Sequence, residues 1–239
     1  MAGRRGKRGY KKRVVRHVDT VLHQSKCTLQ ENSGVETLPT KTIANLLITQ
    51  IPIAGLQNAA REGLMIYLKG WRLRMTFRNN DENPKWVHCA IVNPKDPFPN
   101  VATQQNQWNG TNFFRTIGNP TRSSDSGLLL NGLEWATNPI NTDEYNVLWH
   151  MRFRLGPRFA QTTQPFTTGT GAPNYRTLNR FIKCGKKISY VDDRIDRCHQ
   201  PFYFLTWATS LEEAVGEPAA GSAIVIQNNI VTYFSDARQ

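Results

Sequence analysis

LMIYLKGWRLRMTFR, residues 64–78, is the stretch whose reading decides the fold. Trp71, Leu73, Met75 and Phe77 alternate with Arg72, Arg74, Thr76 and Arg78, the period of two that a β-strand shows and a helix does not. One face of such a strand is core and the other is basic. The same register recurs in YNVLWHMRFRL, residues 145–155. There Val147, Trp149, Met151, Phe153 and Leu155 alternate with Asn146, His150, Arg152 and Arg154, and Leu148 is the one apolar residue on the polar side.

Working outward, β-branched and aromatic runs predict six further strands: 42–50, 86–92, 113–117, 178–190, 201–209 and 223–234. The connections 93–112, 118–141 and 161–174 are rich in Gly, Pro, Asn and Thr and read as long loops, with helical turns fitting only at 53–61 and 211–215. Eight antiparallel strands of uneven length joined by long loops predict an all-β fold, a single jelly-roll sandwich of two packed sheets. The chain is 39% hydrophobic overall and holds six tryptophans, so residues 35–239 have enough apolar material for one core.

The N-terminus is of another kind. Residues 1–16 carry Arg4, Arg5, Lys7, Arg8, Lys11, Lys12, Arg13 and Arg16 and no acid. Of the 30 basic residues in the chain these eight leave 22 against 18 acids, so most of the net charge of +12 sits in a short segment. Glycines at 3, 6 and 9 and the lack of an apolar run give the segment nothing to bury against its ordering entropy, which predicts a disordered basic arm over 1–34. Extended, its first sixteen residues reach about 50 Å. Such an arm neutralises phosphates and releases counterions whatever the base sequence, so its partner is DNA or RNA. Arg4-Arg5 and Lys11-Lys12-Arg13 also have the composition of a nuclear import signal.

Basic residues on the predicted strands add to this: Lys69, Arg72, Arg74, Arg78, Arg152, Arg154, Lys183, Lys186 and Lys187. The Arg-rich faces of the two long strands predict one concave positive surface shared by Arg72, Arg74, Arg152 and Arg154. Trp71, Trp149 and Tyr10 are the aromatic residues placed to stack on unpaired bases, although Trp71 and Trp149 read first as core.

Catalysis finds little support. The sequence has no phosphate-binding GxxxxGK[ST] loop, no HExxH and no GxSxG. Asp192, Asp193 and Asp196 are a candidate divalent-metal set for a nuclease, but Arg194 and Arg197 interleave with them and suggest a surface ion-pair loop. His88-Cys89, Cys184 and Cys198-His199 contain zinc-type donors without a local chelating pair, and adjacent strand residues point to opposite faces. The expectation is therefore no catalytic residue, no metal and no cofactor. The four cysteines, with no CxxC, read as free thiols of a reducing compartment. No apolar stretch approaches a membrane span or a secretory signal.

Several segments carry a resemblance. NRFIKCGKKISY at 179–190, FYFL at 202–205, IVTYF at 230–234 and NPINTDEYNVL at 138–148, together with the Gly/Arg/Lys arm, resemble the capsid proteins of small circular single-stranded DNA viruses, geminivirus and genomovirus coats above all. The resemblance implies single-jelly-roll subunits assembled with copies of themselves into an icosahedral shell around single-stranded DNA. It also implies an inward-facing arm that engages a host nuclear import receptor, and hence location in the virion and the host nucleus. The alternative from residues alone is a cellular single-stranded nucleic-acid-binding module.

Overall fold

Trp71, Leu73, Met75 and Phe77 are all buried, Arg74, Thr76 and Arg78 are exposed, and Arg72 is half-buried, so the alternation at 64–78 resolves into two faces as period two demands. The computed structural model describes residues 26–53, 60–95, 113–115, 130–158, 172–191, 198–211 and 224–236. Within them the strands are β1 (Lys26–Leu38), β2 (Ile43–Leu47), β3 (Met65–Asn79), β4 (Lys85–Pro94), β5 (Tyr145–Leu155), β6 (Tyr175–Ser189), β7 (Tyr203–Thr209) and β8 (Ile224–Asp236), with one helix, α1 (Gly132–Thr137), before β5.

The strands form two four-stranded antiparallel sheets, in the orders β1-β8-β3-β6 and β2-β7-β4-β5. Strand β1 pairs with β8, β2 with β7, β3 with β6 and β4 with β5. The chain is thus one long hairpin, β1–β4 against β5–β8, rolled so that successive pairs fall in alternate sheets. That is the jelly roll.

The inner faces close on a single core. Trp71, Leu73, Met75 and Phe77 of β3 meet Val87, Cys89 and Ile91 of β4, Phe153 and Leu155 of β5, and Phe204 of β7. Phe77 packs edge-on against Phe153 at 5.1 Å, and Trp71 lies 5.2 Å from Phe202. The buried Trp71 indole donates to the Ile48 carbonyl at 3.0 Å, so the largest core side chain leaves no polar atom unpaired. A second apolar cluster covers the outer side of the second sheet, where Ala90, Val92, Leu205 and Trp207 lie beneath Phe113, Phe114, Leu130 and Trp135.

Four expectations change. The arm boundary at 34/35 falls inside a strand, because residues 26–34 belong to β1, which pairs along β8 from Lys26 opposite Phe234 to Leu38 opposite Ile224. Its KCTLQENSGVETL sequence has no apolar alternation, and an edge strand borrows its order from a neighbour rather than from a buried face. Residues 113–117 form no strand in their described part: Phe114 makes an isolated bridge to Ile140, and its apolar side packs under α1. The helix α1 lies in what read as loop. It is started by Asn131, whose side chain accepts from the Glu134 amide at 2.8 Å while Glu134 accepts from the Asn131 amide at 2.8 Å. Finally, Leu148 is the extra residue of a bulge, since Ile91 faces Trp149 and Val92 faces Val147. Val147 therefore joins the outer cluster rather than the inter-sheet core.

A second bulge matters more. The register of β3 against both neighbours slips between Leu68 and Gly70, and Gly70 sits at φ 152°. A Cβ there would lie 2.1 Å from the Ile182 carbonyl oxygen. Gly70→Ala is expected to destabilise the subunit by at least about 2 kcal/mol, through both the φ and the clash with backbone. Urea unfolding of the two proteins side by side measures this, and an unchanged midpoint would show that the bulge relaxes freely.

Candidate nucleic-acid interface

Inward burial of Trp71, Leu73, Met75 and Phe77 throws Arg72, Arg74 and Arg78 onto the outer face of the first sheet. Register adds neighbours. Arg72 lies between Val231 of β8 and Phe181 of β6, Arg74 between Asn229 and Asn179, and Arg78 between Val225 and Tyr175. Lys183 stands opposite Gly70 and Lys187 opposite Tyr67, so both belong to the same face. Arg72 Nε donates to Asn179 Oδ1 at 3.4 Å and Arg78 Nε to Asn80 Oδ1 at 2.9 Å. Arg72, Arg74, Arg78, Lys183 and Lys187 form no ion pair with a described carboxylate.

Arg152 and Arg154 do not join them. Phe153 and Leu155 point into the inter-sheet core, so Arg152 and Arg154 project from the outer face of the second sheet, on the opposite side of the sandwich. The expected single concave surface is therefore two surfaces. Two sheets packed face to face have outer faces that point apart, a relation the alternation of one strand cannot reveal. Arg152 sits over Trp86, 5.7 Å from its ring, with His150 beside it.

Other basic residues lie at the edge. Arg180 and Arg176 of β6 face Leu73 and Phe77, the inward side, and Arg176 caps the Phe153 ring at 4.8 Å while Lys186 lies 5.7 Å from the Phe202 ring. Lys69 is half-buried in the bulge. Of the aromatic candidates, Trp71 is fully buried and Trp149 packs against the core. Tyr10 and the arm residues Arg4 to Arg16 lie outside the described residues.

The zinc-type donors of the sequence do not gather among the described residues. Cys89 is in the inter-sheet core, where burial raises its thiol well above the usual range, and His88 points to the other side of β4. Burial likewise pushes the Cys198 thiol up to about 11, opposed by its contact with Thr49, to whose Oγ1 it lies at 3.4 Å. Among the described residues no three His, Cys, Asp or Glu side chains come together to hold a metal ion. Asp192, Asp193 and Asp196 lie outside the described residues.

On the outer side of the second sheet is a cluster that was missed. His88 is buried, stacks on Trp207 at 4.8 Å and places Nδ1 3.2 Å from His150 Nε2. His150 also stacks on Trp207, at 5.6 Å. Burial, then the nearby His150 and Arg152, hold the His88 imidazole down to about 3. Burial and Arg152 also lower His150. The two rings are held as a neutral pair. Pairwise strand register, unknown from sequence, sets Trp207 opposite His88 and His150 one step along, opposite Ala90, so that the three rings meet.

No family model matches the chain, and no curated protein does. Among solved structures, a chain of Desmodium yellow mottle tymovirus is similar over 91% of this chain and 90% of that one, at 10% identity and a TM-score of 0.31.

The His88 pair sets a pH dependence. A histidine whose folded pKa lies near 3 and whose unfolded pKa lies near 6.5 takes up its proton in the unfolded chain first, so its share of stability is intact above about pH 7 and drains away as pH falls from about 6.5 to 3. His88→Gln is expected to flatten the fall of Tm between pH 7 and 4 relative to the parent. Parallel curves for the two proteins would mean that His88 titrates normally.

Proposed function

We propose that the chain is a structural coat subunit: copies of it assemble into a closed shell, and the shell packages single-stranded DNA without sequence preference through the arm and the basic outer face of the first sheet. The observation that carries the reading is a sheet face bearing five cations with no described carboxylate to pair them, on a jelly roll whose strand β1, at the edge of that same sheet, is covalently continuous with eight further cations in residues 4–16. Repulsion among unpaired like charges is relieved by a polyanion, and neutralising phosphates releases condensed counterions.

The arm and the sheet face have separate parts. The arm supplies reach and charge density, and the sheet supplies a fixed surface. In this reading catalysis has no role, Arg152 and Arg154 face away from the nucleic acid, and the arm also serves as the nuclear import signal that brings subunits to the host nucleus. A cellular single-stranded nucleic-acid-binding module shares the cationic face but not the assembly.

Sizing chromatography with electron microscopy of the expressed protein separates the two: megadalton shells are expected, and a protein that stays monomeric at every salt concentration overturns the coat reading. Deleting residues 1–16 is expected to leave Tm unchanged while the ratio of absorbance at 260 nm to that at 280 nm drops toward that of bare protein. A deleted protein that unfolds would show that the segment belongs to the folded body. Replacing Arg72 and Arg74 together by Ala is expected to reduce the slope of log K against log salt by about 2. The same change at Arg152 and Arg154 is expected to leave it unaltered.

A further inference from the structure

The outer face of the first sheet carries more than charge. Every exposed aromatic residue among the described ones lies on it: Tyr67, Tyr175 and Phe181, at 40%, 60% and 49% exposure. Single exposed apolar residues are ordinary on any protein. Their confinement to the one face with five unpaired cations is not, because a folding core gains nothing from them there.

The centre of the face has a definite shape. Tyr233 on β8 and Lys183 on β6 stand opposite Gly70 of β3 on either side, and Phe181 stands opposite Arg72. The Phe181 and Tyr233 rings approach each other across β3, with centroids 5.8 Å apart and planes at 70°. The result is a ring surface framed by Arg72 on one side and Lys183 on the other. Arg72, Arg74 and Arg78 continue along β3, where alternate residues are about 6.7 Å apart, close to the phosphate step of an extended single strand.

We infer that this face is a stacking platform for unpaired bases, with Phe181 and Tyr233 at its centre taking bases while Arg72, Arg74 and Lys183 hold the flanking phosphates. The inference rests on the nucleic-acid reading above and adds to it the source of a preference for single strands. A duplex hides the faces of its bases in its own stack, so it meets only the cations; a single strand meets both. A second copy of the chain is a poor occupant, since two such faces would set five cations against five. An anionic protein would satisfy the cations and leave the rings without a matching partner.

Full-length protein, titrated with a twenty-nucleotide oligothymidylate and with an abasic oligonucleotide of equal length and phosphate count, tests the inference. The base-bearing strand is expected to bind about tenfold more tightly or better. In the double variant Phe181→Leu/Tyr233→Leu the two oligonucleotides are expected to bind alike, with the salt slope unchanged because no phosphate contact is lost. A second variant, Phe181→Trp, is expected to bind with fluorescence quenched by oligothymidylate and not by the abasic strand, which reads the site without removing it. Equal binding of both strands by the parent protein, or a base preference that survives in the double variant, overturns the platform while leaving phosphate-driven packaging intact. Failure of the parent to bind either strand in dilute salt overturns the nucleic-acid reading itself.

Discussion

The dry interface between two sheets is the constraint from which the rest follows. Each inward aromatic on β3 or β5 is worth about 3–5 kcal/mol when truncated from a packed core, and Trp71, Phe77 and Phe153 all contribute to one interface. Against that, two exposed cations about 7 Å apart on the outer face repel by about 0.6 kcal/mol in water before salt screens them. The core wins by a wide margin. Once it fixes which side of β3 is inside, period two leaves Arg72, Arg74 and Arg78 nowhere else to go, so the cationic face is paid for by packing on the side away from it.

The two outer faces differ in what covers them. The second sheet is roofed in part by α1 and by Phe113, Phe114 and Leu130, and the aromatic network of Trp207 with Phe113 at 5.3 Å and Phe114 at 5.6 Å anchors that roof. Trp207 donates to the Trp135 carbonyl at 3.4 Å, and Thr209 to the Gly132 carbonyl at 3.1 Å, so the helix is tied to β7 as well as packed on it. Gly132 is needed there because a Cβ would strike the Ser210 carbonyl. The described outer surface of the first sheet has no such roof. Its side chains face outward over the length of β3, β6 and β8.

Strand identity and facing were legible wherever a strand buries one face. The alternations at 64–78 and 145–155 placed Arg72, Arg74, Arg152 and Arg154 on outward positions correctly, because burial of one face writes itself into every second residue. What alternation cannot carry is pairing. Whether two basic faces point the same way depends on which sheet each strand joins, and that is decided by long-range register, hence the error of joining β3 and β5 into one surface. Strand β1 escaped because it gains its order from β8 and shows no pattern of its own. The helix α1 was legible in Asn131-Gly132-Leu133-Glu134, a capping-box spacing, but its loop-like surroundings masked it. Phe181 and Tyr233 lay in plain sight as strand residues; only the pairing of their strands with β3, Phe181 opposite Arg72 and Tyr233 opposite Gly70, makes them neighbours.

Gly70 ties the two sides of the first sheet together. Its φ of 152° and its close approach to the Ile182 carbonyl allow the bulge that keeps Leu68 and Trp71 both inside, on either side of two intervening residues. On the outer face beside it Phe181 and Tyr233 meet. A residue with a Cβ would strike the backbone of β6 at Ile182, the residue next to Phe181. The aromatic pair is set on two strands, β6 and β8, each paired with β3, rather than on a loop. Rings held in this way are already ordered before any ligand meets them, so their ordering entropy is not lost on binding.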